Sequence, residues 1–105
     1  MTVLYHPEFP SDIRRFAVRY ADLSSKLETR FRYEVDAAIA RVIAKPVGGR
    51  AISFYTGSVI LREVRRHNLA IFPFFVLYGL ADDRLVFGSL IPSAPDPLTW
   101  LDRFA

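Results

Sequence analysis

The stretch from Val64 to Tyr78 holds the side chains with the most chemical potential in this chain. It reads Val-Arg-Arg-His-Asn-Leu-Ala-Ile-Phe-Pro-Phe-Phe-Val-Leu-Tyr. Arg65 and Arg66 carry planar guanidinium forks suited to bidentate contact with carboxylate or phosphate. His67 follows them and could act as an acid or base, because imidazole titrates near neutrality. Each of these has a plainer reading. Charged residues commonly frame an exposed strand edge, and His67, flanked by two arginines and Asn68, reads as a solvated strand-end residue. The aromatic set Phe72, Phe74, Phe75, Tyr78 and Phe87 could stack bases, but at strand spacing it reads as core. Trp100 reads as an anchor for a C-terminal helix or as part of an exposed patch. His6, beside Pro7, reads as a surface turn residue.

Other chemistries find little footing. Without cysteine, neither a disulfide framework nor a thiolate nucleophile is available. The two histidines are isolated and the acids scattered, so no metal cluster is expected. The sequence has no Gly-rich phosphate loop and no Gly-x-Ser-x-Gly elbow. No cofactor is expected. The formal net charge is +3, and arginine supplies most of it, since the only lysines are Lys26 and Lys45. That balance suits either an ordinary arginine-rich surface or an acidic partner or nucleic acid.

The elements that position these residues can be read from the pattern. At 105 residues, half of them hydrophobic, a single folded domain over 1–105 is expected. Val3, Leu4 and Tyr5 make a short strand, ended by Pro7 and Pro10. Ser11 stands where a helix N-cap belongs, and Ile13, Phe16, Ala17, Tyr20 and Leu23 follow at helical spacing. Ser24-Ser25 marks a break, with Ser25 and Glu28 spaced as a capping box. Leu27, Phe31, Val35, Ala38, Ile39, Val42 and Ile43 then recur every third or fourth residue, and Glu28 can pair with Arg32 one turn on. Pro46 and Gly48-Gly49 stop this second helix. A short connection makes an antiparallel hairpin the natural packing, with one bent helix from Ser11 to Ala44 as the alternative.

Strand character dominates after Gly49. Ile52, Phe54 and Tyr55 are β-prone, though Thr56-Gly57-Ser58 interrupts. Residues from about Val59 to Ala70 read as a strand, Pro73 belongs at a turn, edge or bulge, and Phe74 to Leu80 is rich in β-formers. Asp82-Asp83 signals a turn before a strand from Arg84 to Ile91. Pro97 can open a short final helix through Trp100 and Arg103. The expected fold is therefore α+β: an N-terminal strand, an antiparallel two-helix hairpin packed on a three- to four-stranded antiparallel sheet, and a short C-terminal helix. The N-terminus lacks the pattern of a secretory signal, and no apolar run approaches the ~18 to 20 residues that span a bilayer. A cytoplasmic protein without membrane contact is expected.

This order and spacing resemble the RelE/ParE toxin superfamily, whose ParE-like branch is often described as plasmid stabilisation proteins. Tyr20 holds the tyrosine near the end of the first helix. Phe31 is followed by Glu34-Val35-Asp36 where the branch has Phe and then Glu-Val-Glu, and Pro46 closes the helix. Val64-Arg65-Arg66, Phe72-Pro73-Phe74 and Tyr78 reproduce a Val-Arg-Arg segment eight residues ahead of Phe-Pro-Tyr, ending at a strand tyrosine. Asp96-Pro97 and Trp100 match the second half of a C-terminal His-x-Arg-Arg-Asp-Pro-x-x-Trp. The family's His falls on Pro92 and its two arginines on Ala94 and Pro95, while Ala70 and Ile71 stand where basic residues usually precede Phe-Pro-Tyr.

The resemblance implies the toxin of a type II toxin–antitoxin module, neutralised by a cognate antitoxin whose C-terminal segment wraps it. In the ParE branch the implied target is DNA gyrase, bound as an inhibitor, and no catalytic residue is then required. The implied antitoxin- and target-binding residues are Arg62, Arg65, Arg66, His67, Arg84, Trp100 and Arg103. A homodimer or a heterotetramer with the antitoxin is the implied assembly; direct nucleic-acid binding by the chain alone is not expected. The first alternative is a ribosome-dependent mRNA endonuclease of the RelE type. It would use a cationic pocket to orient a 2′-OH, stabilise a phosphorane and protonate the leaving oxygen, with Arg62, Arg65, Arg66, His67, Arg84 and Tyr78 as its parts. The second is a degenerate member that only binds an antitoxin.

Overall fold

A computed structural model describes residues 1–53 and 63–94, and the side chains of all of these except 51–53. The chain runs through β1 (Thr2–Tyr5), α1 (Glu8–Ala21), α2 (Ser25–Ala44), a 3-10 turn (Pro46–Gly48), β2 (Arg50–Ser53), β3 (Glu63–Asn68), β4 (Phe74–Leu80) and β5 (Arg84–Pro92). The α+β layering follows the sequence expectation: a two-helix hairpin against one sheet. The sheet is wider than expected and mixed. Its five strands lie in the order β1-β5-β4-β3-β2, with β1 parallel to β5 and the other pairs antiparallel. The expected C-terminal helix around Pro97, Trp100 and Arg103 lies outside the described residues, as do 59–62 of the strand expected from Val59 to Ala70.

Both helix starts differ from the expectation, for one reason: prolines and serines can occupy a first turn, whose amides have no intrahelical partner. α1 begins three residues ahead of Ser11, with Pro7 at the cap position and Pro10 inside the first turn. The His6 ring accepts from the Glu8 amide through Nδ1 at 3.1 Å, and the His6 carbonyl accepts from Phe9 N–H at 2.9 Å. For α2 the cap is Ser24, whose Oγ accepts from Lys26 N–H at 3.2 Å. That shift moves Glu28 out of capping-box register and leaves its carboxylate for Arg32, at 3.4 Å. Three residues, 22–24, connect the helices, which forces an antiparallel hairpin.

The helices bury one stripe against one sheet face. Phe16, Tyr20, Phe31, Phe72 and Phe74 form a mostly edge-on aromatic layer, with centroid separations of 4.7 Å for Phe16–Phe74, 5.1 Å for Tyr20–Phe72 and 5.5 Å for Phe31–Phe72. A second group joins Phe9, Tyr5 and Phe87 by stacking, Phe9–Phe87 lying at 5.6 Å. Fully burying each such ring contributes about 1.5–3 kcal/mol, and favourable ring pairs add about 0.5–1.5 kcal/mol. The sequence reading of these aromatics as core therefore holds for Phe72, Phe74, Tyr78 and Phe87, while Phe75 is only half-buried.

Polar side chains complete the seam between layers. Asp12 accepts from the Leu90 amide at 3.1 Å, where β5 has run past the end of β1 and its outward amide has no strand partner. Glu34, 8% exposed, accepts through Oε1 from the amides of Ile71 at 2.9 Å and Phe72 at 3.3 Å. It thereby clasps the β3–β4 connection to α2. Pro73 sits in that connection, as expected, with Phe74 N–H donating to Phe72 O at 2.8 Å across it. No helix among the described residues is long and apolar enough to cross a membrane.

Candidate partner-binding surface

Successive strand residues point to opposite faces of a sheet, and that rule separates Arg65 from Arg66. Arg65 pairs with Tyr78 and His67 with Val76, both buried beneath the helices, whereas Arg66 pairs with Leu77 on the far face. Neighbours in sequence thus serve different surfaces.

Arg65 is committed to the fold. Its Nη1 donates to the carbonyls of Val47 at 3.1 Å and Gly49 at 2.6 Å, and its Nε and Nη2 meet the two Glu63 carboxylate oxygens at 3.3 and 3.4 Å. The guanidinium straps the connection that follows α2 to the sheet. Beside it the Tyr78 hydroxyl donates to Pro46 O at 2.6 Å. Burial pushes the Tyr78 phenol above its ordinary value; a Gly49 backbone hydrogen bond and the Arg65 charge oppose that, and the Glu63 charge adds to it. Gly49 makes the approach possible. A Cβ there would collide with the Tyr78 hydroxyl oxygen and lie 2.8 Å from the Arg66 carbonyl oxygen.

Arg66 is presented outward. Its guanidinium lies over the Phe75 ring, 3.8 Å from the centroid, and Nη2 donates to Asn68 Oδ1 at 2.9 Å. Arg50 of β2 is its direct cross-strand partner. His67 sits at the same end of the sheet, its ring held below its ordinary value first by burial and then by the positive charge of Arg41. Gly48, Gly49, Arg50, Arg66, His67 and Asn68 line a shallow cleft of about 340 Å³.

Of the residues expected at the surface, the structure places Arg65, Arg66 and His67 at one end of the sheet, with Arg66 on the face opposite the other two. Arg84 is exposed at the opposite end of β5, beside the Asp82-Asp83 turn. Arg62, Trp100 and Arg103 lie outside the described residues. Sequence reasoning missed Arg50, Gly49, Glu63 and Glu34. Only a cross-strand register could have joined Arg50 to Arg66, although Glu34 falls within the matched Phe-x-x-Glu-Val-Asp segment. Val18, Tyr33 and Ile43 on the helices and Leu23 in their connection are exposed apolar side chains. Among the described residues no group of three or more His, Cys, Asp or Glu could hold a metal ion.

The architecture defines an α+β domain whose chemistry-bearing side chains gather at one end of a mixed sheet. Neither family models nor curated proteins give a match to the chain. Among solved structures, a chain described as "Chromosomal ParDE TA system from P. aeruginosa" superposes with a TM-score of 0.71, at 13% identity, over 90% of this chain and 97% of that one. The chain thus shares the fold of that ParDE-system chain.

Proposed function

We propose that this protein is the toxin component of a ParE-like type II toxin–antitoxin module, neutralised by a cognate antitoxin and acting by binding a target such as DNA gyrase. The observation that carries this reading is the near-complete superposition on a ParDE-system chain. The site geometry supports binding over RNA cleavage. The Tyr78 hydroxyl is buried and already donating to Pro46, and Arg65 is occupied by Glu63 and two backbone carbonyls. A nuclease would need such groups free for a scissile phosphate. Arg66, Arg84 and the exposed apolar side chains of α1 and α2 remain available to a partner.

The antitoxin is expected to bury more than ~1,200 Å², since a wrapping segment covers several elements. The reading is tested by brief expression in a bacterial host, with mRNA ends and plasmid supercoiling followed together, and by sedimentation with the product of the neighbouring gene. Loss of supercoiling with intact mRNA, reversed by that product, is the expected result. Codon-positioned mRNA cuts that vanish in His67→Ala or Arg66→Ala would replace it with the endonuclease reading. Antitoxin binding without growth arrest would mark a degenerate member.

A further inference from the structure

Like charges placed directly opposite each other on an antiparallel ladder destabilise it, yet Arg50 faces Arg66 across β2 and β3. Their Cα atoms are therefore about 5 Å apart. The carboxylate of Glu63 goes to Arg65 instead, and among the described residues neither Arg50 nor Arg66 has an ion pair. Arg66 is nonetheless held in place, by the Phe75 ring beneath it and the Asn68 amide oxygen beside it. An ordered guanidinium has already lost the rotamer freedom that binding would otherwise cost. His67 and Asn68 complete the lining of the cleft beside the two arginines.

We propose that the cleft between Arg50 and Arg66 binds the phosphate group of a small phosphate monoester. Two guanidinium forks bring more donors than the two oxygens of a carboxylate can use, and its single charge would leave one arginine uncompensated. A phosphate monoester carries about −1.5 to −2 charge and three acceptor oxygens, which matches the pair. The cleft, at about 340 Å³, has room for more than the phosphate. A nucleic-acid backbone fits less well, because it presents repeated single charges and needs a basic track. Here the far face next to Arg66 continues into Phe75 and Leu77, its half-buried strand neighbours, and Arg84 is at the other end of β5. The site shares Arg66 with the surface offered to a partner, but phosphate binding and antitoxin binding are read by separate measurements, so either can fail alone.

The test is titration calorimetry at low salt with inorganic phosphate, ribose 5-phosphate and a nucleoside 5′-monophosphate, joined to NMR observation of the arginine Nε–H and His67 ring signals. Saturable binding that perturbs Arg50 and Arg66 is expected, with Arg50→Gln and Arg66→Gln each weakening it roughly ten-fold or more, the loss of one charge-assisted contact. Arg30→Gln, on the outer face of α2, should leave it unchanged. Phosphate should also raise the His67 titration midpoint while the arginine Nε–H signals stay those of the folded chain; a rise accompanied by loss of those signals would report unfolding, which also lifts it. Circular dichroism separates weakened binding from unfolding, and Arg66→Lys, which keeps the charge and loses the fork, gives a milder second variant. Equal affinity of wild type and the Arg50→Gln/Arg66→Gln double variant, an equal loss in Arg30→Gln, or tighter binding of citrate, an acidic peptide or an RNA oligomer at the same residues would overturn the assignment.

Discussion

The aromatic layer beneath the helices and the arginine-lined end of β2 and β3 are built from opposite rules. In the layer, rings meet edge to face and the buried Glu34 carboxylate takes two amides of the connection it faces. At the sheet end, a cleft is lined by two arginines in direct cross-strand register and by a histidine shifted by burial and by Arg41. A site optimised for stability would have put a carboxylate opposite Arg66, since cross-strand opposite charges stabilise and like charges do not. The difference teaches where to look for function: at the place where the fold tolerates a local cost.

The comparison can be tested by breaking each side. The largest effect should come from the aromatic layer, where Phe74→Ala removes a ring touching Phe16, Tyr20 and Phe31. About 3–5 kcal/mol of stability should be lost in urea unfolding. Next, Arg65→Ala should cost about 1.5–3 kcal/mol, because charge-assisted contacts to Val47, Gly49 and Glu63 disappear together. Glu34→Ala belongs in the same range, about 1–3 kcal/mol for amides left without their acceptor. Glu34→Gln, which keeps an acceptor oxygen, should cost less. On the other side Arg66→Ala should cost under ~1 kcal/mol, the value of one partly exposed cation–π contact, while changing ligand or partner affinity. A stability loss for Arg66→Ala as large as that for Arg65→Ala would erase the distinction between the two.

The smallest effects concern pH. His67 titrates lower in the fold than in the unfolded chain. The unfolded state therefore binds the proton more readily below its ordinary value near 6.5. The stability that neutral His67 contributes is complete above that value and falls as pH drops toward the folded value; His67→Gln should flatten this slope in unfolding curves. Tyr78 is shifted upward, so its contribution holds up to its ordinary value near 10 and falls as pH rises through the folded one. Tyr78→Phe should remove that alkaline loss while giving up the bond to Pro46.

Local chemistry made much of this legible. Periodicity gave both helices, the Glu28–Arg32 pair, the Pro46 stop and the strand that ends at Leu80. Capping was less legible, because Ser11 and Ser25 satisfy the same local rule as the cap that forms at Ser24, and a first turn accepts Pro10 without penalty. The joining of β1 to β5 was beyond reach, since nothing near Thr2 encodes a partner at Arg84. The site shared that limit. Arg65, Arg66 and His67 stood out by type, but which arginine faces outward depends on strand register, and a slip of one residue exchanges the faces. Arg50, looking like the residue after a helix stop, acquires its meaning only from the strand beside it.

The pairing of β1 with β5 also has a temporal consequence. Thr2–Tyr5 reach their places only against Arg84–Phe87, and Phe9 and the half-exposed Tyr5 both stack on Phe87. During synthesis the helical hairpin can form early, from contacts close in sequence, whereas the first strand has no neighbour until most of the chain has emerged. Closing so long a loop costs entropy before any contact compensates it, which slows folding in proportion to such non-local pairing. A nascent chain halted ahead of Arg84 would hold its hairpin over an open sheet edge, and release of the last strand would be the event that commits the whole domain to its native state.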